Sequence, residues 1–245
     1  MQQKKVWQKK MWQKISIIIP VLNEAQNIQA FLQKLQPLRQ QGHEIVLVDG
    51  RSQDNTCALA RPYVEQTISS DKGRAKQQRM GAKMATGQVF LFLHADTVLP
   101  QHADQIILTA LYSTRFSTQS KDSSWGRFNV RLSGGHWFFR IIEQMMNWRS
   151  CLTGIATGDQ AIFVTRQLYN EVGGIPAIDL MEDIAFSKLL RKWNKPVCLK
   201  PSVITSSRRW EKNGILKTVL FMWSMRLQYF FGVKPELLVK KYYPE

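Results

Sequence analysis

The chain has 245 residues and 44% hydrophobic content, which is enough for one sizeable core and excludes a largely disordered protein. Its net charge is +16, from 34 Lys and Arg against 18 Asp and Glu, and this favours an anionic partner: a nucleic acid, an anionic membrane or a phosphorylated substrate. The three cysteines are widely spaced without a CxxC pair, so the sequence supports neither a disulfide framework nor a zinc site. We therefore expect one main domain in a reducing, cytosolic setting.

Residues 1–14, MQQKKVWQKKMWQK, form a basic tail with five lysines and no apolar stretch of the kind found in signal peptides. Trp7 and Met11 are one helical turn apart, so the tail either is a disordered basic segment or rests on an anionic membrane surface.

Three short apolar segments predict buried parallel strands: Ile15 to Pro20, Glu44 to Asp49, and Val89 to Leu93. A loop and a helical pattern follow each strand. This succession predicts a doubly wound parallel sheet over roughly the first hundred residues.

The helices between these strands have recognisable starts. Apolar residues at helical spacing from Ile28 to Leu35 predict the first helix, with Asn23 as its cap, and Asp54 is expected to cap a short helix running to Arg61. The segment DKGRAKQQRMGAKMATG predicts a loop that passes into a helix near Gly73. Arg74 would stand at that helix start, where the dipole favours anions, and is a candidate contact for a nucleotide diphosphate.

Two aspartates come directly at strand ends. Asp49 ends the second strand, and Asp96 follows the VFLFL strand. Ligands of open α/β sheets bind in the crevice beyond the carboxyl ends of the strands, so Asp96 stands where a divalent metal and a phosphate would meet. The alternative is that Asp96 only caps the next turn.

The second half is less regular. Its pattern predicts a helix at 101–112, a polar loop at 113–124, a strand with one wet face at 125–133, a helix beginning near His136, a strand at 159–164 and a helix at 181–193. Glu182 and Asp183 fall in the first turn of the last helix, where they either complement the helix dipole or carry chemistry.

The last segment, 213–245, contains an apolar stretch from Gly214 to Val233. Lys217, Arg226 and Gln228 interrupt it, which disfavours a membrane span. We expect an amphipathic helix that packs on the domain or lies in a membrane interface.

Together, these motifs resemble those of a family 2 glycosyltransferase of the GT-A fold. The resemblance covers nearly the whole chain in order and implies a Rossmann-like, mostly parallel sheet flanked by helices at 15–212. It is carried by PVLNE (Pro20 to Glu24), VDGRSQDNT (Val48 to Thr56), GRA (Gly73 to Ala75), HAD (His94 to Asp96), the Glu182-Asp183 pair and the late RRW element (Arg208 to Trp210).

The resemblance also implies roles for these residues. A nucleotide-sugar donor would contact Pro20, Val21, Glu24, Asp49, Arg51, Gly73, Arg74, Ala95, Arg209 and Trp210. Asp96 would hold Mg²⁺ or Mn²⁺ against the donor diphosphate. Asp183 would be the general base that takes the proton of an acceptor hydroxyl, with Glu182 as an orienting neighbour.

Three features depart from the family pattern. His94 replaces the commoner Asp at the start of the metal motif, and Gly50-Arg51 replaces a second Asp-Gly pair. Ser206 stands where processive polysaccharide synthases carry glutamine. The last difference favours transfer of a single sugar over polymer synthesis.

The acceptor is not specified by the motifs. The chain resembles a bacterial subgroup of arsenosugar-type biosynthesis and also the carotenoid-acid glucosyltransferases of the diaponeurosporenoate type, so the expected acceptor is small or lipid-like, with a hydroxyl or carboxyl group. Aromatic residues of the second half either line an apolar acceptor cleft or belong to the core: Trp125, Trp137, Phe138, Phe139 and Trp148.

Rival functions are less well supported by the sequence. Nucleic-acid binding would need a recognisable module, and none is present. A sugar nucleotidyltransferase would need a glycine-rich basic loop after its first strand, where this chain has VLNEAQN. We expect a cytoplasmic enzyme, peripheral on the membrane if the last helix binds lipid.

Overall fold

The structure is a computed structural model that describes residues 13–112 and 124–242. Most of the predicted basic tail and of the predicted polar loop at 113–124 lies outside these residues.

The described strands form one eight-stranded sheet in the order β3-β2-β1-β4-β7-β6-β8-β5. They are β1 (Ile15–Val21), β2 (Glu44–Asp49), β3 (Gln66–Ser69), β4 (Val89–Phe92), β5 (Thr97–Val98), β6 (Trp125–Leu132), β7 (Phe163–Thr165) and β8 (Val197–Thr205). The first four strands pair in parallel, which confirms the predicted doubly wound half. The other half is mixed, because β7 runs antiparallel to β4 and β6, and β5 runs antiparallel to β8.

Helices flank this sheet. They are α1 (Ile28–Gln40), α2 (Thr56–Ala60), α3 (Arg74–Met84), α4 (Ala103–Tyr112), α5 (Trp137–Thr153), α6 (Arg166–Glu171), α7 (Glu182–Arg191), α8 (Arg208–Asn213), α9 (Ile215–Phe230) and α10 (Pro235–Tyr242).

Two helix starts test the predicted caps. Asp54 accepts a hydrogen bond from the Thr56 amide at 3.0 Å, but it stands one residue before the cap position of α2, which is Asn55. The prediction for Asn23 was wrong, because its side chain accepts from the Gln53 amide at 2.8 Å and α1 begins only at Ile28. Asn23 ties two loops together instead.

Two predictions for the second half need correction. The strand predicted at 159–164 is shorter, because Gly158–Gln160 forms a 3-10 turn in which the Thr157 amide donates to the Gln160 side chain. The strand at 125–132 has almost no wet face, because Phe128 and Val130 on one face pack in the main core and Trp125 on the other face packs in a second core cluster. Trp125 is fully buried for this reason.

Two of the cysteines form a disulfide, Cys151–Cys198, with 5.8 Å between their Cα atoms. The sequence-based interpretation was wrong for this pair. Residues 47 positions apart meet because the end of α5 lies beside the start of β8, which spacing along the chain does not reveal.

The helix predicted between Gly214 and Val233 is present as α9. Among the residues that the structure describes, no helix has the length and apolarity needed to cross a bilayer.

Candidate active site

The carboxyl ends of β2, β1 and β4 lie side by side and bring Asp49, Glu24 and Asp96 to one edge of the sheet. Asp49 is buried and accepts hydrogen bonds from the amide and hydroxyl of Ser52. Gln77 of α3 donates to the carbonyl oxygens of Val21 and Val48, at 2.8 and 2.7 Å. These bonds fix the ends of β1 and β2, and the sequence reasoning had not assigned this role to Gln77.

Asp96 lies next to the end of β8 because β5 pairs with that strand. Thr97 is paired in register with Thr205, and their hydroxyl oxygens are 3.1 Å apart. A cleft of about 530 Å³ opens there. Its lining combines acidic, polar and basic side chains: Asn23, Glu24, Gln26, Asn27, Asp96, Ser206, Arg208, Arg209, Lys212 and Asn213.

Burial, and next the negative charge of Asp96, raise the pKa of Glu24, while Arg208 opposes this shift. Repulsion between two carboxylates is relieved by a bound cation, and hard divalent ions prefer such oxygen ligands. The described residues contain no group of three or more metal-ligating side chains. Asp96, with Glu24 nearby, therefore fits a Mg²⁺ or Mn²⁺ ion that takes its other ligands from a bound diphosphate or water.

Asp183 lies at the start of α7, where Met181 adopts a left-handed conformation with φ of 64° just before the helix. One carboxylate oxygen accepts from the Gly158 amide at 2.8 Å, and the other accepts from the Ile184 amide at 2.7 Å. Two backbone amides thus hold the carboxylate in a fixed orientation.

Gly158 also joins Asp183 to the strand that carries the metal motif. A Cβ atom on Gly158 would lie only 2.6 Å from Nε2 of His94, so the imidazole packs directly on this glycine. Burial, followed by the charge of Arg74, lowers the pKa of His94 to about 3, and its ring is neutral near pH 7. The turn at Gly158 therefore places Asp183 close to the HAD segment, although the two are almost ninety residues apart.

Glu182 is buried beside Asp183. Burial, and next the repulsion by Asp183, raise the pKa of Glu182 to about 7. The charge of Arg74 opposes this shift. Arg74 therefore acts electrostatically on both His94 and Glu182, and it begins α3 after Gly73, whose φ is 135°.

The raised pKa makes stability depend on pH. The folded state favours protonated Glu182, so its stabilising contribution is complete below the unfolded pKa of 4.5 and is lost as pH rises through about 7. We expect Glu182→Gln to remove this loss, and therefore to raise Tm at pH 8 but to change it little at pH 5.

Thermal unfolding of both proteins at pH 5 and pH 8 measures this difference. Glu236→Gln is a matched control, since Glu236 also lies in the first turn of a helix but is exposed. Equal pH dependence in wild type and Glu182→Gln would contradict the assignment.

The remaining residues predicted to contact the donor have different surroundings. Pro20 and Val21 end β1 in the crevice, and Ala95 packs partly against the main core. Arg51 forms an exposed ion pair with Asp71, at 2.6 Å.

Residues of the late RRW element have different surroundings. The Arg209 guanidinium lies 4.0 Å over the Tyr242 ring and also donates to the Tyr242 hydroxyl. Trp210 packs against the cluster of Leu132, Phe139 and Ile142. Arg208 and Arg209 both line the cleft, and the charge of Arg208 acts on Glu24.

Comparison with known proteins places this geometry in a family. The family described as "Glycosyl transferase family 2" matches residues 16–171, which contain four of the six motifs quoted above. The chain belongs to glycosyl transferase family 2.

Two individual relatives are 30% and 33% identical to this family 2 member. It is 30% identical, over 167 residues, to a "PGL/p-HBAD biosynthesis glycosyltransferase" of Mycobacterium tuberculosis, a match covering 64% of this chain and 61% of that protein. It is 33% identical over 136 residues to a "Dolichol-phosphate mannosyltransferase" of Pyrococcus furiosus, covering 50% of this chain and 39% of the relative. The chain thus spans about three fifths, or less, of the length of these curated relatives.

Solved structures show the same fold. The S. aureus TarS 1-349 complex with UDP has a TM-score of 0.63 at 18% identity, over 79% of this chain and 60% of that one. The mannosyltransferase PcManGT of Pyrobaculum calidifontis, in complex with GDP-Man and Mn²⁺, has a TM-score of 0.57 at 18% identity, over 83% and 62%. The expected GT-A fold is thereby confirmed.

Proposed function

We propose that this protein is an inverting glycosyltransferase that moves one sugar from a nucleotide-sugar donor, a UDP-sugar, to a hydroxyl or carboxyl group of a small or lipid-like acceptor. The single observation that carries this proposal is the turn at Gly158, which binds the Asp183 carboxylate and contacts His94, two residues from Asp96. This contact supports a site in which Asp183 would accept the proton and Asp96 would hold the metal ion.

In the proposed reaction, an acceptor oxygen attacks the anomeric carbon from the face opposite the diphosphate. The new bond between carbon and the acceptor oxygen forms as the bond to the diphosphate breaks, and UDP leaves with that electron pair. Asp183 takes the proton of the hydroxyl, and Glu182 helps to orient it. The attack from the opposite face inverts the anomeric configuration.

The donor would lie along the strand ends. Asp49, with Pro20, Val21 and Glu24, would surround the nucleotide base, and Arg74 and Arg208 would offset phosphate charge. A Mg²⁺ or Mn²⁺ ion held by Asp96 would stabilise the negative charge that develops on the leaving diphosphate. Gly73, Arg51, Ala95, Arg209 and Trp210 would complete the donor site.

UDP is proposed because TarS is described in complex with UDP and with UDP-GlcNAc, and a mycobacterial glucosyl-3-phosphoglycerate synthase in complex with UDP-Glc and Mn²⁺. GDP is the competing nucleotide, since PcManGT is described with GDP-Man. A panel of UDP-, GDP- and dTDP-sugars, each with Mn²⁺, should separate them through thermal stabilisation and slow donor hydrolysis.

We expect stabilisation by one or more UDP-sugars and release of UDP. Release of pyrophosphate from a nucleoside triphosphate and a sugar phosphate would instead favour the sugar nucleotidyltransferase alternative. Stabilisation by no nucleotide sugar would contradict the proposal.

We also propose that the acceptor side of the protein meets an anionic membrane surface. The side chains of Trp223, Leu227 and Phe230 on α9 are exposed, and the chain carries a net charge of +16. Such a surface would suit a lipid-like acceptor, including a carotenoid acid.

A further inference from the structure

Two arginines stand beside the catalytic carboxylates, and neither belongs to a motif that the sequence analysis used. Arg149 lies near the end of α5, and Arg226 lies in α9. Both act electrostatically on Asp159, which lies within the Gly158–Gln160 turn, and Arg149 also acts electrostatically on Asp183.

Packing explains why these helices reach the site. Met225 of α9 is buried against Leu180, Met181 and Ile184, the residues around the start of α7. Gln160, in the turn after Gly158, donates to the Ser150 hydroxyl of α5 at 3.0 Å. Arg226 directly follows Met225 in sequence, and Arg149 directly precedes Ser150.

The guanidinium groups are incompletely satisfied. Nε and Nη2 of Arg149 and Nε of Arg226 are buried without a hydrogen-bond partner in the described part of the chain. Neither arginine has a carboxylate of the described residues within 4.0 Å. Burying hydrogen-bond donors without partners costs free energy of folding. A bound anion would accept hydrogen bonds from these guanidinium groups.

The two arginines also repel each other. Burial, and next the charge of Arg226, lower the pKa of Arg149 to about 10. Arg127 is a third buried arginine. Burial, and next the charge of Arg149, lower its pKa. This concentration of positive charge beside Asp183 suits an anionic ligand.

Both helices carry an exposed apolar stripe. On α5 it consists of residues that are 43–71% exposed: Trp137, Ile141, Met145, Trp148 and Leu152. On α9 it consists of residues that are 56–74% exposed: Leu216, Leu220, Trp223, Leu227 and Phe230. Such regular spacing of exposed apolar side chains is unusual for a surface in contact only with water.

We propose that Arg149 and Arg226 bind the anionic head group, a phosphate or a carboxylate, of an amphiphilic acceptor whose apolar chain lies along the stripes of α5 and α9. This inference deepens the proposed function and rests on it, because it gives the acceptor its chemical class. The head group would anchor the acceptor so that its hydroxyl lies next to Asp183, and the donor would occupy the strand ends on the other side of the Gly158 turn.

The test uses the full chain saturated with UDP and Mn²⁺, so that the donor diphosphate site is filled, and follows hexyl phosphate binding by titration calorimetry. We expect at least tenfold weaker binding in Arg149→Gln and in Arg226→Gln, with UDP affinity and Tm nearly unchanged. Lys217→Gln is the matched control, because Lys217 is exposed on α9 and lies about 180° around the helix from Arg226.

Further ligands separate the two parts of the inference. Hexanol should bind wild type at least tenfold more weakly than hexyl phosphate, and octyl phosphate should bind about tenfold more tightly, as two added methylenes imply. Hexanoate decides between the head groups, since tighter binding of hexanoate than of hexyl phosphate would indicate a carboxylate head group.

The inference would be overturned if hexyl phosphate bound wild type and both arginine variants equally. It would also be overturned if hexyl phosphate did not bind wild type that binds UDP. Either result would leave the proposed function standing. Failure of wild type to bind any nucleotide would overturn the proposed function itself, and with it the role of this site.

Discussion

Asp183→Asn should reduce sugar transfer by about 10²–10⁴-fold while the affinity for the nucleotide sugar stays close to that of wild type. The asparagine oxygen can still accept the hydrogen bond from the Gly158 amide, although its NH2 group cannot accept the bond from the Ile184 amide, so the contact that joins α7 to the HAD segment should persist. An amide, however, cannot take the proton of an acceptor hydroxyl. The expected change is therefore in kcat and not in donor binding.

Steady-state kinetics with the donor found in the nucleotide-sugar panel, together with calorimetric donor binding, measure both quantities. Asp179→Asn provides the control, since Asp179 is exposed and precedes Asp183 by four residues. Turnover of Asp183→Asn equal to that of wild type would refute the assignment of the general base.

Asp96→Ala should weaken nucleotide binding by about tenfold to a hundredfold when Mn²⁺ is present, the range expected for loss of an interaction with a charged group. The carboxylate is exposed in the cleft that also contains Glu24 and Arg208, and no other described side chains complete a group of three potential metal ligands. Removing Asp96 therefore takes away the main proposed protein ligand of the ion.

Calorimetry with and without a chelator isolates the metal contribution. Wild type and Asp96→Ala should bind UDP similarly once the chelator has removed Mn²⁺, and Asp179→Ala should behave like wild type in both conditions. Equal heats for wild type with and without metal would show a metal-independent site, in keeping with His94 at the position where the family commonly carries aspartate.

The Gly158 turn illustrates the part of the site that sequence reasoning could not supply. Local patterns singled out Asp96 after a buried strand and Asp183 in the first turn of a helix, and the family resemblance then implied their roles. What links Asp183 to His94 of the HAD segment is a 3-10 turn whose amide binds Asp183 and whose missing side chain admits the imidazole. Neither contact leaves a periodic signal in the sequence.

Arg149 and Arg226 were missed for the same reason. In the sequence they are single charges within apolar helical stretches, and Arg226 was interpreted only as an obstacle to a membrane span. The structure draws attention to them because α5 and α9 pack around the start of α7. This packing buries their guanidinium groups beside Asp159 and Asp183. Cys151 and Cys198 likewise became a bridge only when α5 met β8.

By itself, the sequence determined the parallel strands, the helices between them and the acidic residues at the strand ends, because hydrophobic periodicity and helix starts depend on neighbours within a few residues. Only the tertiary structure decided the antiparallel insertion of β7, the single turn that unites Asp183 with the HAD segment, and the burial of Arg149 and Arg226. These features depend on contacts between segments far apart in the chain, which local patterns do not encode.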